Sequence, residues 1–401
     1  MNARPDFLFL KKDTLYTEKI VLLRLCSFNP SPEDKHQLEQ LIASVKDWRM
    51  FAYMAKANGI SALLYKNIVD LKLEGIDKSC TAEFLHEFHS IKFRNTLKII
   101  ALKQLVTLLE NDSIHYVVLR GYQFIRRYYM HLFYRDIGDL DFLIDPDSFE
   151  KAVRLMEKHP YRLITMPYEH HLMYIDTKHN VQIELHHDII SPPHYFKYAL
   201  SEFLKNTVLY KDNEITVRVL NNRYELYLQL MNALYAHAFV PFKARNIVDV
   251  YAVMLSMGAD APWEEIIKQV NSTGALNYLL ISARICHDFF NVPMPQVFQQ
   301  YVEESRFKDK YEYFIGYLFH YMEYIKNPKF RKNPALLQIR LANTPANSVR
   351  LLYHYLFLSA KYVRYSRLKL RVPIFLFHVI RLFLLPFRFI YKSLYTYIRN
   401  K

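Results

Sequence analysis

Asp139 and Asp141 stand two residues apart in the stretch YRDIGDLDFLID, Tyr134 to Asp145. On a strand, side chains at that spacing project to one face. Two neighbouring carboxylates repel each other unless a positive charge lies between them. Mg²⁺ prefers carboxylate oxygens and takes its remaining ligands from phosphates and water. The pair therefore predicts a site for Mg²⁺ or Mn²⁺ that is incomplete without a nucleotide. A third carboxylate is expected from an adjoining strand. Glu184 in VQIELHH fits, because it is flanked by apolar residues in a β-rich run 43 residues after Asp141. Three such acids can hold two ions, one activating an acceptor hydroxyl and one clamping the phosphates and leaving group. His186 lies two residues beyond Glu184 and shares its face, whereas His187 faces the other way.

The elements that must position these residues are legible in outline. The first hundred residues have a helical texture. SPEDKHQLEQLIASV offers Ser31 as N-cap with Pro32 behind it, and DWRMFAYMAKANG closes on Asn58-Gly59. The stretch from Thr81 to Asp112 repeats apolar residues at threes and fours. HYVVLRG is β-branched and ends on Gly121; a helix is expected over YQFIRRYYMHLF, then the strand GDLDFLID, a helix over SFEKAVRLMEKH and a short strand YRLIT. LMYID and VQIELHH read as a hairpin around the turn TKHN, and EITVRVLN as one more strand. Helical texture returns from Arg223. The expected fold class is α+β, a small mixed-sheet core embedded in helical N- and C-terminal regions. The expected divisions are 1–112 (helical), 113–222 (α/β core), 223–323 (helical) and 324–401 (basic, apolar tail). Trp48 and Trp263 each precede a glycine by eleven residues, Gly59 and Gly274, which reads either as a duplicated helical hairpin or as two unrelated helices with a glycine cap.

The order of these pieces resembles the nucleotidyltransferase superfamily typified by DNA polymerase beta. The likeness is closer to one branch, the uncharacterised bacterial nucleotidyltransferases often met among polysaccharide-related genes. The pieces that carry the likeness are LRG (Leu119 to Gly121), RDIGDLDFLID, ELHH (Glu184 to His187), LYAHAF around His237 and RNIVDV (Arg245 to Val250), from about Asp47 to Pro295. The resemblance implies a metal-dependent transfer of NMP from an NTP to an acceptor hydroxyl or phosphate on a sugar, lipid or protein. It implies Asp139 and Asp141 as metal ligands and Glu184 as third ligand or base. Gly121 would let the backbone approach the triphosphate, and Arg120, Arg135 and His186 would contact nucleotide or metal. Two departures stand out. Arg120 replaces the usual Lys with a planar fork, and Tyr122 stands where the superfamily has a phosphate-binding Ser.

Blander assignments remain open beside these. Gly138-Asp139 can simply make a turn, Asp136 can cap one, and Glu184 can pair with a surface Lys. His170 and His171 read as surface or core groups, and His237 and Asp249 either close the pocket or pack. A glycosyltransferase holding a nucleotide sugar through the DxD pair is disfavoured by the helical hundred residues before it. A non-catalytic module of the same fold is kept in view by the two departures.

Composition narrows the rest. Seven glycines in 401 residues leave no GxGxxG and no GxxxxGK[ST]. Cys26, Cys80 and Cys286 show no metal-ligand spacing and read as buried thiols of a reducing compartment. The N-terminus lacks an apolar run of signal-peptide length, so a cytoplasmic location is expected. The net charge of +14 is concentrated at one end, since residues 324–401 hold 16 Lys and Arg and no acid. Residues 1–323, with 37 basic and 39 acidic side chains, are near neutral. The run VPIFLFHVIRLFLLPF is 16 residues long and carries Arg381, short of the roughly 20 apolar residues of a span. Residues 348–401 are therefore expected to lie on an anionic membrane face, with a spanning or re-entrant segment, or a basic surface that docks protein or nucleic acid, as the alternative readings. Nucleic acid is disfavoured as a partner by the slightly acidic body.

Overall fold

The computed structural model describes residues 13–28, 30–129, 131–164, 170–191, 194–213, 215–235, 243–324 and 334–356. Five helices come first: α1 (Tyr16–Arg24), α2 (Pro32–Ile42), α3 (Trp48–Ala57), α4 (Ser61–Asp70) and α5 (Lys78–Asn111). α2 starts as its sequence dictates, with Ser31 and Asp34 completing a reciprocal capping box and Pro32 in the first turn. α5 is 34 residues long, about 50 Å at 1.5 Å per residue. It packs on α3 and α4 and runs on against the sheet.

Seven strands form that sheet: β1 (Tyr116–Leu119), β2 (Leu140–Ile144), β3 (Tyr161–Leu163), β4 (His171–Asp176), β5 (Val181–His186), β6 (Thr207–Lys211) and β7 (Thr216–Leu220). Their order is β3-β4-β5-β2-β1-β7-β6. β2 runs parallel to β5 and β1 parallel to β7, and the remaining pairs are antiparallel. The fold is thus α+β with a mixed sheet, as expected. Tyr116, Val118, Phe142 and Ile144 share one face by register. That face turns to α5, because the Tyr116 hydroxyl donates to Glu110 of that helix. Val117, Asp141, Leu143, Glu184 and His186 lie on the opposite face.

Short helices link the strands: α6 (Tyr122–Phe124), α7 (Phe149–Lys158) and α8 (Leu200–Lys205). Eight more follow the sheet: α9 (Asn222–Leu228), α10 (Ala244–Met257), α11 (Trp263–Thr273), α12 (Leu276–Phe290), α13 (Gln296–Val302), α14 (Ser305–Tyr324), α15 (Pro334–Leu341) and α16 (Pro345–Leu356). Apolar side chains from α1 through the sheet to α16 pack into one continuous core. Gly59 and Gly274 each join two helices at positive φ, so both tryptophan frames share one helix–glycine–helix form. At Gly274, φ +95°, a Cβ would also crowd the Tyr195 ring at 3.0 Å, so backbone and space both favour glycine.

Two local expectations differ from the structure. The segment Tyr122 to Phe133 is not one helix. A single α turn gives way to a wider π turn at Ile125–Tyr129. There Arg127 and Tyr128 reach Asn222, Tyr129 reaches Asp249, and Arg127 also binds the Leu220 carbonyl. The widened turn thus gives three consecutive side chains polar partners. The second difference is β6, where the polar-edged TVLYK pairs with β7 as the sheet's last strand. Among the described residues no helix is long and apolar enough to cross a membrane. Residues 357–401, which hold most of the expected membrane-facing tail, lie outside the described residues.

Candidate active site

β2 and β5 build the site by their register. They are parallel neighbours with Asp141 directly opposite Glu184 and Leu143 opposite His186. Residues paired in this way point to the same side, so Asp141, Glu184 and His186 converge. The three are 4, 8 and 1 % exposed. His186 Nε2 lies 3.0 Å from Asp141 Oδ1 and 3.3 Å from Glu184 Oε2, so its ring bridges the two acids. Burial alone would lower the His186 pKa, but the hydrogen bonds and charges of Asp141 and Glu184 outweigh it and raise the group to about 9.

Asp139 precedes β2 on the same side. The Gln182 amide donates to Glu184 Oε1 at 2.9 Å and reaches Asp139 Oδ2 at 3.5 Å, which ties the two acids together across the strands. The charge of Asp141 and then burial push the Asp139 carboxyl above its usual range. Arg120 Nη2 sits 3.5 Å from Asp141 Oδ2, and its Nε is buried without a hydrogen-bond partner among the described residues. Three carboxylates thus face two cationic side chains.

Backbone geometry at the end of β1 holds Arg120 in place. Arg120 has φ +54°, and Gly121 has φ 80° with ψ −135°, a combination open essentially to glycine. A Cβ at Gly121 would meet nothing nearer than 3.6 Å. Conformation rather than space therefore requires glycine there. Tyr122 turns away, donating to Asp212, so its hydroxyl does not take the place of the superfamily serine.

The loop before β2 is stapled to α5. Asn95 Nδ2 donates to the carbonyls of Leu132 and Arg135, and Asn95 Oδ1 accepts from Ile137 N–H at 3.0 Å. Arg94 Nε and Lys98 Nζ bind opposite oxygens of Asp136 at 2.8 and 2.5 Å. Burial disfavours the Asp136 charge, but Lys98, the Gly138 N–H and Arg94 hold the group well below the usual carboxylate range. Asp136 is an anchor for the loop, not a member of the cluster. Arg135, expected at the nucleotide, gives its fork to Asp249 of α10, with Nε–Oδ1 at 2.7 Å and Nη2–Oδ2 at 2.8 Å. Its third donor is bound to the Asp136 carbonyl. Such a buried bidentate pair makes Arg135 a strut between the loop and α10, with the face of its fork committed to Asp249.

Sequence reasoning missed three residues at the site. Gln182 lies two positions before Glu184 on the same face. His171 pairs with His186 across the β4–β5 hairpin, and its Nε2 is 3.7 Å from Glu184 Oε2. His170 adjoins both rings. Burial and the neighbouring imidazoles push its pKa down to about 2. The turn supplied the signal: pairing Asp176 with Val181 across TKHN brings His171 opposite His186. His187 points the other way, edge-on to Phe149. His237 lies outside the described residues.

Asp141, Glu184 and His186 each offer a ligand atom, and the three atoms lie within 4.8 Å of one another. The oxygen donors of Asp139, Asp141 and Glu184, and the charge they leave uncompensated, suit a hard divalent ion. In comparison with known proteins, a family model described as uncharacterised nucleotidyltransferase matches residues 44–291. No individual curated protein matches the chain.

Proposed function

We infer that the reaction is nucleotidyl transfer, since the chain belongs to the uncharacterised nucleotidyltransferase family. We propose in addition that the β2–β5 cluster passes NMP from an NTP to an acceptor hydroxyl or phosphate and releases pyrophosphate. The observation that carries this reading is the Asp141–Glu184 pairing across two parallel strands, with Asp139 beside it on the same face.

In this reading Asp139, Asp141 and Glu184 hold Mg²⁺ or Mn²⁺. When bound, such an ion neutralises triphosphate charge and polarises the acceptor oxygen. The chain's own groups do the rest. Arg120 presents two-pronged donors to phosphate oxygens. Gly121 carries no side chain between the backbone and a triphosphate. His186 sets the spacing of Asp141 and Glu184 through its bridging Nε2. The acceptor oxygen bonds to the α-phosphorus as the bond to the β-phosphate breaks, and a hydroxyl acceptor gives its proton to Glu184. Catalysis is then mostly positioning and charge neutralisation. Incubating the full-length protein with each labelled NTP, Mg²⁺ and host sugars, lipids and proteins tests the proposal. Label should appear on one acceptor class, and no transfer from any NTP would overturn it.

Arg120 provides a graded check. Arg120→Ala is expected to raise the KM for NTP about 10- to 100-fold, matching the roughly 1.5–3 kcal/mol of a hydrogen bond to a charged group. Arg120→Lys should retain part of that. An unchanged KM in both would remove Arg120 from the nucleotide site.

The setting is proposed as surface polysaccharide metabolism at the inner face of the membrane, with the basic residues of 348–401 on anionic lipid. A chain ending at Leu356 keeps Leu351, which is fully buried, and so keeps the α16 contact with the core. Full-length protein is expected to float with phosphatidylglycerol vesicles and the shortened chain to stay behind. Equal flotation would end the membrane proposal.

A further inference from the structure

We propose that His170, His171 and His186 form a second metal site, a tri-histidine centre for a divalent ion of the zinc class, beside the carboxylate cluster. The ring centres are 4.3, 5.1 and 5.3 Å apart. Three imidazoles on one tetrahedral ion, with Zn–N bonds of about 2.0–2.1 Å, put their ring centres about 5 Å apart. One nitrogen from each ring lies within 4.8 Å of the others. His171 Nδ1 and His170 Nε2 are 3.1 Å apart, close to the roughly 3.3 Å between two nitrogens on such an ion.

The second nitrogen of each ring strengthens the case. His170 Nδ1 meets the Ser191 hydroxyl. His171 Nε2 lies 3.7 Å from Glu184 Oε2. His186 Nε2 meets Asp141 Oδ1 at 3.0 Å, while its buried Nδ1 has no hydrogen-bond partner among the described residues. A ligating imidazole characteristically ties its outer nitrogen to a carboxylate, carbonyl or hydroxyl, which fixes the ring and makes the inner nitrogen more basic. Here the outer nitrogens of His170 and His186 have such a partner, and that of His171 faces the Glu184 carboxylate. An all-nitrogen donor set does not suit Mg²⁺, which takes oxygen, and does suit Zn²⁺, Co²⁺ or Ni²⁺. Binding displaces any proton on His186 Nδ1, as metals generally do at histidine sites. Three protein ligands leave a fourth position for water or a substrate oxygen. His186 would then belong to both centres, one nitrogen toward each, so that the hairpin sets their separation.

This inference goes beyond nucleotidyl transfer and rests on the three histidines at the open end of the β4–β5 hairpin and their Ser191, Asp141 and Glu184 neighbours. The test uses full-length protein stripped with EDTA and then saturated with Mg²⁺. Calorimetry with Zn²⁺ is expected to show one further equivalent bound, and Co²⁺ is expected to give the intense visible absorption of a four-coordinate centre. His170→Ala should weaken Zn²⁺ binding by about 100-fold or more, and the milder Ser191→Ala by about tenfold. Absence of Zn²⁺ binding in the presence of Mg²⁺ would overturn the proposal. So would Zn²⁺ binding left unchanged by both substitutions. Neither readout involves NMP transfer, so failure of the transferase reading would leave this one standing, and the converse.

Discussion

Asp141→Asn is expected to lower kcat for NMP transfer by about 1000-fold or more while changing the KM for NTP far less. Asn keeps the shape of Asp and can still accept the bond from His186 Nε2, so the fold and the β2–β5 register survive. What it removes is one full negative charge at the centre of the cluster, 3.0 Å from His186 and 3.5 Å from Arg120. Asp141 carries the register with Glu184, and electrostatic groups aimed at charge that develops in the transition state are usually the largest single contribution to catalysis. A fall in kcat with little change in KM is the signature of an interaction made mainly in the transition state. Glu184→Gln should behave similarly. Steady-state kinetics beside a thermal unfolding curve separates lost chemistry from lost fold. Wild-type turnover in Asp141→Asn would leave the protein a nucleotide-fold module with its chemistry elsewhere.

Asp249→Ala is expected to destabilise the protein by about 3–5 kcal/mol, because it leaves the buried Arg135 guanidinium without a counter-charge. Arg135 and Asp249 are 4 and 3 % exposed, and both oxygens of Asp249 are used by Arg135. Tyr129 would lose its acceptor as well. The double substitution Arg135→Met with Asp249→Leu should recover most of the loss, since replacing both partners of a buried pair by apolar groups is often neutral or better. Urea unfolding of Arg135→Met, Asp249→Leu and the double closes the cycle. Losses that simply add would show that the pair is not coupled and that Arg135 is free for another partner. Activity is expected to follow stability here, because Arg135 adjoins the loop that delivers Asp139.

The parts legible in the sequence were those fixed by local chemistry. The capping of α2, the Asn58-Gly59 stop and the four-residue turn of the β4–β5 hairpin each depend on a few adjacent residues. The alternation around Asp141 and Glu184 gave their faces correctly, because a strand's side chains alternate whatever surrounds them. What stayed hidden depends on distant partners. The paired acids led to the expectation that β5 adjoins β2, but that the two run parallel with Asp141 directly opposite Glu184 is a property of the whole sheet. Arg135 reads as a phosphate ligand until α10 brings Asp249 to it, 114 residues later. Asn95 and Lys98 look like ordinary positions on a long helix until the loop before β2 docks on them. His171 was recoverable in principle from the hairpin, but only by carrying the turn's register to its far end. The π turn after Tyr122 reflects polar partners on β7, α9 and α10 that no local pattern announces.

The hairpin register also limits how this chain can change its length. The turn Thr177 to Asn180 closes with Asn180 at φ +56°, and from it the pairing counts outward to His171 and His186. Gaining or losing one residue there would rotate every side chain of β4 to the other face, taking His171 away from Glu184. Point substitutions in the turn leave that count intact. Insertions and deletions do not, so grafts, tags or shuffled segments belong on other surfaces of the molecule.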